Sequence, residues 1–197
     1  MPKIIDHEKR KQDILRKALS LFAREGYAQS SLSLLAEKCE ISRPTLYLYF
    51  KDKDDIFRYA LKNFTDDMFD KYKTIASKGE KRTAEILVRI YIDIIDKCGA
   101  NRDFLICLSD FMRHEKNQGK NYDDLVRRRT IKLEYMLIRL LTEAVRKGEL
   151  RDLPIRSLVG QFFHMVQAFM FQLILGSDCN RDEEISFFKD WVDNLLA

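Results

Sequence analysis

Apolar residues recur along this chain every three or four positions, the interval that stacks side chains on one face of an α-helix. Ile14, Leu15, Ala18, Leu19 and Phe22 make the first such stripe, which stops at Gly26, a residue suited to ending a helix. Leu32, Leu35, Ala36 and Cys39 make the second, behind Ser30 and Ser31, whose hydroxyls can cap a helix start. A tight turn at Glu40 and Ile41 leads to Ser42, another capping residue, and to a third short helix. Pro44 is tolerated there because first-turn amides have no helical partner. Leu46 and Phe50 then face inward. Two short helices joined by a tight turn, behind a longer one, make a helix-turn-helix arrangement.

The same spacing continues to the end of the chain. Lys51-Asp52-Lys53 leads into a fourth helix carrying Phe57, Ala60, Leu61, Phe64, Met68, Tyr72 and Ile75, which ends near Ser77-Lys78-Gly79. A fifth, with Ile86, Leu87, Ile90, Tyr91, Ile94 and Ile95, breaks at Gly99. A short sixth covers about Phe104 to Met112, and the polar window HEKNQGKN that follows reads as a loop. The seventh turns Met136, Leu137, Leu140, Leu141 and Ala144 inward and runs to Lys147-Gly148, and Pro154 separates it from the eighth. The last carries Ile185, Phe188, Trp191, Val192 and Leu195. The expected fold is therefore all-α, with about nine helices: a three-helix domain over residues 1–53 and a larger helical body over 54–197.

Residues 158 to 175, LVGQFFHMVQAFMFQLIL, are apolar enough to raise a membrane span, but Gln161, His164, Gln167 and Gln172 interrupt them. A helix buried on most sides within protein is the expected form, with no membrane partner.

Charge separates the two parts. Residues 1–53 hold eleven Lys and Arg against seven Asp and Glu, which accounts for the whole formal charge of +4; the remainder carries 24 of each sign. A basic segment on a neutral body points to a polyanion as partner of the first part only. Cys39, Cys98, Cys107 and Cys179 have neither zinc-site nor disulfide spacing, and His7, His114 and His164 are scattered, so no metal is expected. A Gly-rich phosphate loop and a telling pair of acids are both missing, so neither a cofactor nor catalysis is expected. The charged N-terminus does not read as a leader, and the thiols suit a reducing, cytoplasmic setting.

The third helix carries the chemistry. With Leu46 and Phe50 inward, Arg43, Pro44, Tyr47 and Leu48 point outward, and Thr45 and Tyr49 fall on a flank. Such a face suits a DNA major groove: Arg43 can donate two hydrogen bonds to guanine, and Pro44 or Leu48 can touch a thymine methyl. Thr45, Tyr49 and Lys53 would reach phosphates, as would the Ser31 and Ser33 hydroxyls at the start of the second helix. Taken alone, the same face also suits a helical protein-interaction module that binds no DNA.

The run from Ile14 to Lys53, ILRKALSLFAREGYAQSSLSLLAEKCEISRPTLYLYFKDK, resembles the DNA-binding domain of the TetR family of bacterial transcriptional regulators. The matching features are IL..AL.LF...GY, a pair of serines, LA....IS and TLY.YF..K. The resemblance is close over the first quarter of the chain and rests beyond it on helix count, length and the GELR motif at Gly148 to Arg151. It implies a homodimer that binds a two-fold symmetric operator of double-stranded DNA, most often as a repressor, and releases it when a small molecule enters the C-terminal domain. The base-reading helix then corresponds to Arg43 through Tyr49, with Lys53 at a phosphate-contacting position. Glu40 departs from the pattern, since that turn is most often glycine, and Ser33 stands where many members carry a longer polar residue.

Two further sites follow. The eighth and ninth helices are the expected dimer seam, where two copies would build a four-helix bundle from the apolar area of Phe162, Phe163, Phe169, Met170, Phe188 and Trp191. The resemblance places the effector pocket among the fourth to eighth helices. Its candidates are Phe69, Tyr72, Tyr91, Phe104, Cys107, Phe111, Tyr135, Met136, Gln161, His164, Met165 and Ala168. Gln161 and His164 stand out, because polar groups on so apolar a helix need a partner in a cavity or at the seam.

Overall fold

The computed structural model describes residues 6–77, 82–119, 123–177 and 179–197, and these form nine α-helices with one isolated antiparallel bridge, Leu150 to Leu196. The helices are α1 (His7–Glu25), α2 (Leu32–Lys38), α3 (Arg43–Tyr47), α4 (Lys53–Ser77), α5 (Thr83–Ala100), α6 (Arg102–Asn117), α7 (Asp123–Arg146), α8 (Ile155–Leu175) and α9 (Arg181–Asp193). The window HEKN, expected to open a loop, instead continues α6, whose buried face extends from Phe104 to Glu115. Burial of Glu115 on that face hid the helix, since a charged residue at a core position reads as an end of periodicity.

Two compact units divide the chain. The first comprises Met1–Phe64 with Asp103–Tyr122, so α6 belongs to it although the sequence places α6 well inside the helical body. Its core centres on Tyr27, whose ring meets the edges of Phe22 and Phe111 at 5.5 and 5.3 Å between centroids. Phe57 of α4 stacks on Phe111 of α6 at 4.1 Å, and Phe64 stacks on Phe104 at 4.6 Å. The Cys107 thiol donates to the Leu19 carbonyl of α1 at 3.1 Å. Burying an aromatic ring of this size contributes roughly 2 to 3 kcal/mol, so α6 is as much a wall of this unit as α1 is.

The second unit comprises Thr65–Arg102 with Asp123–Ala197. Tyr91 of α5 lies flat on Phe188 of α9, 3.7 Å between centroids, and Phe162 of α8 meets both rings edge-on. The Tyr91 hydroxyl donates to Glu184 and that of Tyr72 to Asp93, so both buried phenols are satisfied. Glu149, in the turn after α7, accepts the Thr83 amide at 2.9 Å and so caps α5. That bond holds the Glu149 carboxyl below its ordinary pKa. Arg151 donates its amide to the Leu195 carbonyl at 3.0 Å, tying the last residues to the same turn.

Only five of the 21 residues of α8 are buried: Leu158, Val159, Phe162, Val166 and Phe169. Expected to be enclosed on most sides, α8 instead leaves a long apolar face open. Its length and composition would also pass for a membrane span.

Candidate nucleic-acid interface

Each element of the N-terminal unit is set by a local device. Asp6 caps α1 by accepting the Lys9 amide, and the helix closes at Gly26, whose φ of 86° and N–H bond to Phe22 turn the chain. A Cβ at Gly26 would lie 2.5 Å from the Gln29 side chain. Ser31 caps α2 by accepting the Leu34 amide, and Ser42 caps α3 by accepting the Thr45 amide, both at 3.2 Å. Between them, the Ile41 amide reaches the Ala36 carbonyl and the Glu40 amide the Glu37 carbonyl, a Schellman closure that forces Glu40 to φ 55°. Glu40, which stands where the family pattern has glycine, is left-handed, and the turn keeps its geometry without the glycine.

These devices present α3 as the side-chain periodicity requires. Leu46 and Phe50 are fully buried, Arg43 and Pro44 are exposed, and Tyr47 and Leu48 show 48% and 81% of their surface. Thr45 and Tyr49 are half-buried on the flank. The Thr45 hydroxyl pairs with that of Ser42 at 2.8 Å, and the Tyr49 hydroxyl lies 3.2 Å from Nδ1 of His7. Ser31 and Ser33, at the start of α2, are exposed.

Lys53 is placed differently from its expected role. Its Nζ donates to the backbone carbonyls of Tyr27 and Ala28, at 2.7 and 3.2 Å, and sits 4.9 Å over the Tyr27 ring. Burial draws its pKa below the ordinary lysine value, with Asp54 opposing. The ammonium clamps the α1–α2 corner, where the Tyr27 and Ala28 carbonyls of the turn after α1 offer it partners within its own chain.

Residues 14–60 match the bacterial regulatory proteins of the tetR family. The HTH-type transcriptional regulators YuxN and YerO of Bacillus subtilis are 33% identical over 95 residues and 25% identical over 191 residues. Those alignments take in 47% and 95% of this chain but 31% and 64% of the two relatives, less than two thirds of either length. In fold, the ketosteroid transcriptional regulator KstR2 of Mycobacterium tuberculosis is similar at a TM-score of 0.74 and 16% identity, over 95% of each chain. Over residues 14–60, then, the chain carries a DNA-binding domain of the TetR type.

The residues at which the TetR resemblance places an effector fall in both units. Phe104, Cys107 and Phe111 are core residues of the N-terminal unit. In the other unit, Tyr72 and Tyr91 are buried with hydroxyls engaged, Met136 and Met165 are half-buried, and the side chain of Phe69 lies outside the described residues. Tyr135, Gln161, His164 and Ala168 face outward. Gln161 finds its partner on α9, accepting from Trp191 Nε1 at 3.0 Å. The sequence anticipated that Gln161 and His164 would need partners, but not which side of α8 they occupy.

The apolar candidates for the TetR-type seam also divide. Phe162, Phe169 and Phe188 are buried within their own unit, where the rings of Phe162 and Phe188 pack with Tyr91 of α5. Phe163, Met170 and Trp191 are half-exposed. The open apolar side chains of these helices are Phe171, Leu175 and Phe187, with 61%, 63% and 59% of their surface free. Phe171 and Leu175 fall on a stripe offset by two residues from the core positions Phe162, Val166 and Phe169, and they are hard to single out in the sequence because apolar residues lie on both sides of α8.

Proposed function

We propose that this chain is a transcriptional regulator that binds a two-fold symmetric operator as a homodimer and, as a repressor, is released by a mostly apolar small molecule. One observation carries the reading: a capped α3 turns Arg43, Pro44, Tyr47 and Leu48 outward together from the basic end of the chain. An Arg fork and two apolar groups on so short a helix match the donor, acceptor and methyl pattern of a major groove edge.

The homodimer is supported by Phe171, Leu175 and Phe187, an apolar face that a second copy of α8 and α9 would cover. The effector is supported more distantly. KstR2 is named for ketosteroids, an apolar class, and the body of this chain has the same fold. Ligand would favour a body conformation that holds the two α3 helices at the wrong separation for successive major grooves, and so lower operator affinity. Such a protein acts where the DNA is, in the cytoplasm.

Selection of duplexes from a random library, at two salt concentrations, tests the reading. A two-fold symmetric consensus whose affinity falls steeply with salt is expected. Recovery of no consensus, with a protein that remains folded, would overturn it.

A further inference from the structure

The contact between His7 and Tyr49 joins the first turn of α1 to the flank of α3 across 42 residues of sequence. Nδ1 lies 3.2 Å from the phenolic oxygen, with ring centroids 6.0 Å apart and the planes tilted by 36°. His7 is exposed and Tyr49 half-buried, so the pair sits at the solvent edge of the reading face. We propose that His7 is a positioning residue for operator binding: it aims the Tyr49 hydroxyl at the DNA backbone and couples binding to the uptake of one proton. The inference rests on reading α3 as the DNA-binding helix.

The argument turns on one hydrogen atom. A phenol has one proton and accepts through its oxygen lone pairs. When Nδ1 is bare, the Tyr49 proton points to it and only lone pairs remain, which a phosphate oxygen repels. When Nδ1 carries a proton, it donates to the phenolic oxygen and releases the Tyr49 O–H toward phosphate. The neutral Nδ1–H tautomer achieves this orientation. The imidazolium achieves it and adds a positive charge and a second donor at Nε2, so a phosphate selects the protonated ring.

The surroundings leave that charge available to DNA. On the same helix, the Asp6 carboxylate caps the Lys9 amide, and Glu8 accepts from Gln12 and from Tyr59 of α4. Lys11 lies over the Tyr59 and Phe50 rings, 4.0 and 5.3 Å from their centres, and Arg10 is exposed. From α3 the titratable neighbour is Tyr49 itself. Among the described residues no carboxylate forms an ion pair with His7, so an incoming phosphate would be its counter-charge.

Fluorescence anisotropy on a selected duplex tests this, with the full chain at constant salt from pH 5.5 to 8.0. Wild type, His7→Gln, His7→Lys, Tyr49→Phe and the His7→Gln/Tyr49→Phe pair are compared, each shown to be folded by thermal melting. Wild-type affinity should rise about tenfold more than that of His7→Gln as the pH falls across the histidine range. His7→Lys should bind at pH 8.0 as the wild type does at pH 5.5, with a flat profile. Tyr49→Phe should lose affinity at every pH while keeping part of the pH response, and the double variant should lose both, since the histidine acts through the phenol and through its own charge. Parallel profiles for wild type and His7→Gln would overturn the inference while leaving the DNA reading intact. A wild type that binds no duplex at any pH would overturn both.

Discussion

The Lys53 ammonium lies 2.7 Å from the carbonyl oxygen of Tyr27 and 4.9 Å from the centre of the same residue's ring. The Tyr27 hydroxyl in turn donates to Asp54, the next residue of α4. One corner, between α1 and α2, is thus bound to the first turn of α4 by a charge, a ring face and a phenol.

Replacing Lys53 with Met keeps the aliphatic stem and removes the donor. Two carbonyls then lose a charged partner, and stability should fall by about 1.5 to 3 kcal/mol in denaturant titrations. The salt dependence of DNA binding should keep its slope, because the ammonium is not directed at phosphate; a slope reduced by about one would return Lys53 to the interface.

Arg43 and Tyr47 occupy the opposite situation, exposed and without structural duties. Arg43→Ala or Tyr47→Ala should cost roughly 1 to 3 kcal/mol in operator affinity and less than about 0.5 kcal/mol in stability. Equal binding by both variants would move the reading face elsewhere.

Glu40 holds φ at 55° in a turn that glycine would occupy without a Cβ penalty. Glu40→Gly should raise stability by about 0.5 to 1 kcal/mol, the relief of the left-handed Cβ contact less the added freedom of the unfolded chain. A lower melting midpoint would mean that the Glu40 side chain makes a compensating contact.

The open and buried rings of α8 and α9 should separate cleanly. On the proposed pairing of two copies through this face, Phe171→Glu or Phe187→Glu should abolish self-association in sedimentation runs, a loss of roughly 2 kcal/mol or more, with protomer stability little changed. Phe188→Ala should cost about 3 to 5 kcal/mol of folding stability, since Phe188 stacks on Tyr91 inside one copy.

Acid should loosen the start of α5. The Glu149 carboxyl is held below its ordinary pKa by the Thr83 amide, so its contribution to stability is complete above about pH 4.3 and is lost as the pH falls through its folded value. Glu149→Gln should flatten that part of the acid-unfolding curve, and a curve of unchanged shape would remove Glu149 from the account.

Local signals explain what could be read from the sequence. Gly26, Ser31, Ser42 and the 46/50 spacing each act within five residues, so helix ends and the outward face of α3 were legible. Placements decided by distant partners were not. The clamp at Lys53 depends on carbonyls 25 and 26 residues away, and the inward side of α8 depends on α5 and α9. On α8 apolar residues flank the polar positions Gln161, His164 and Gln172 on both sides, so periodicity alone does not say which apolar side, that of Phe162 or that of Phe171, packs inward.

The insertion of α6 into the N-terminal unit bears on the order in which the chain can assemble. Tyr27 and Phe57 are covered by Phe111, which leaves the ribosome long after α3 does. A nascent chain that has reached Phe64 holds every residue of the helix-turn-helix yet leaves that aromatic cluster uncovered until some fifty more residues have emerged, roughly 3 to 10 seconds of synthesis. The part of the molecule that comes first in sequence is therefore completed late, and a prematurely terminated fragment would carry the helix-turn-helix on an adhesive, unfinished core.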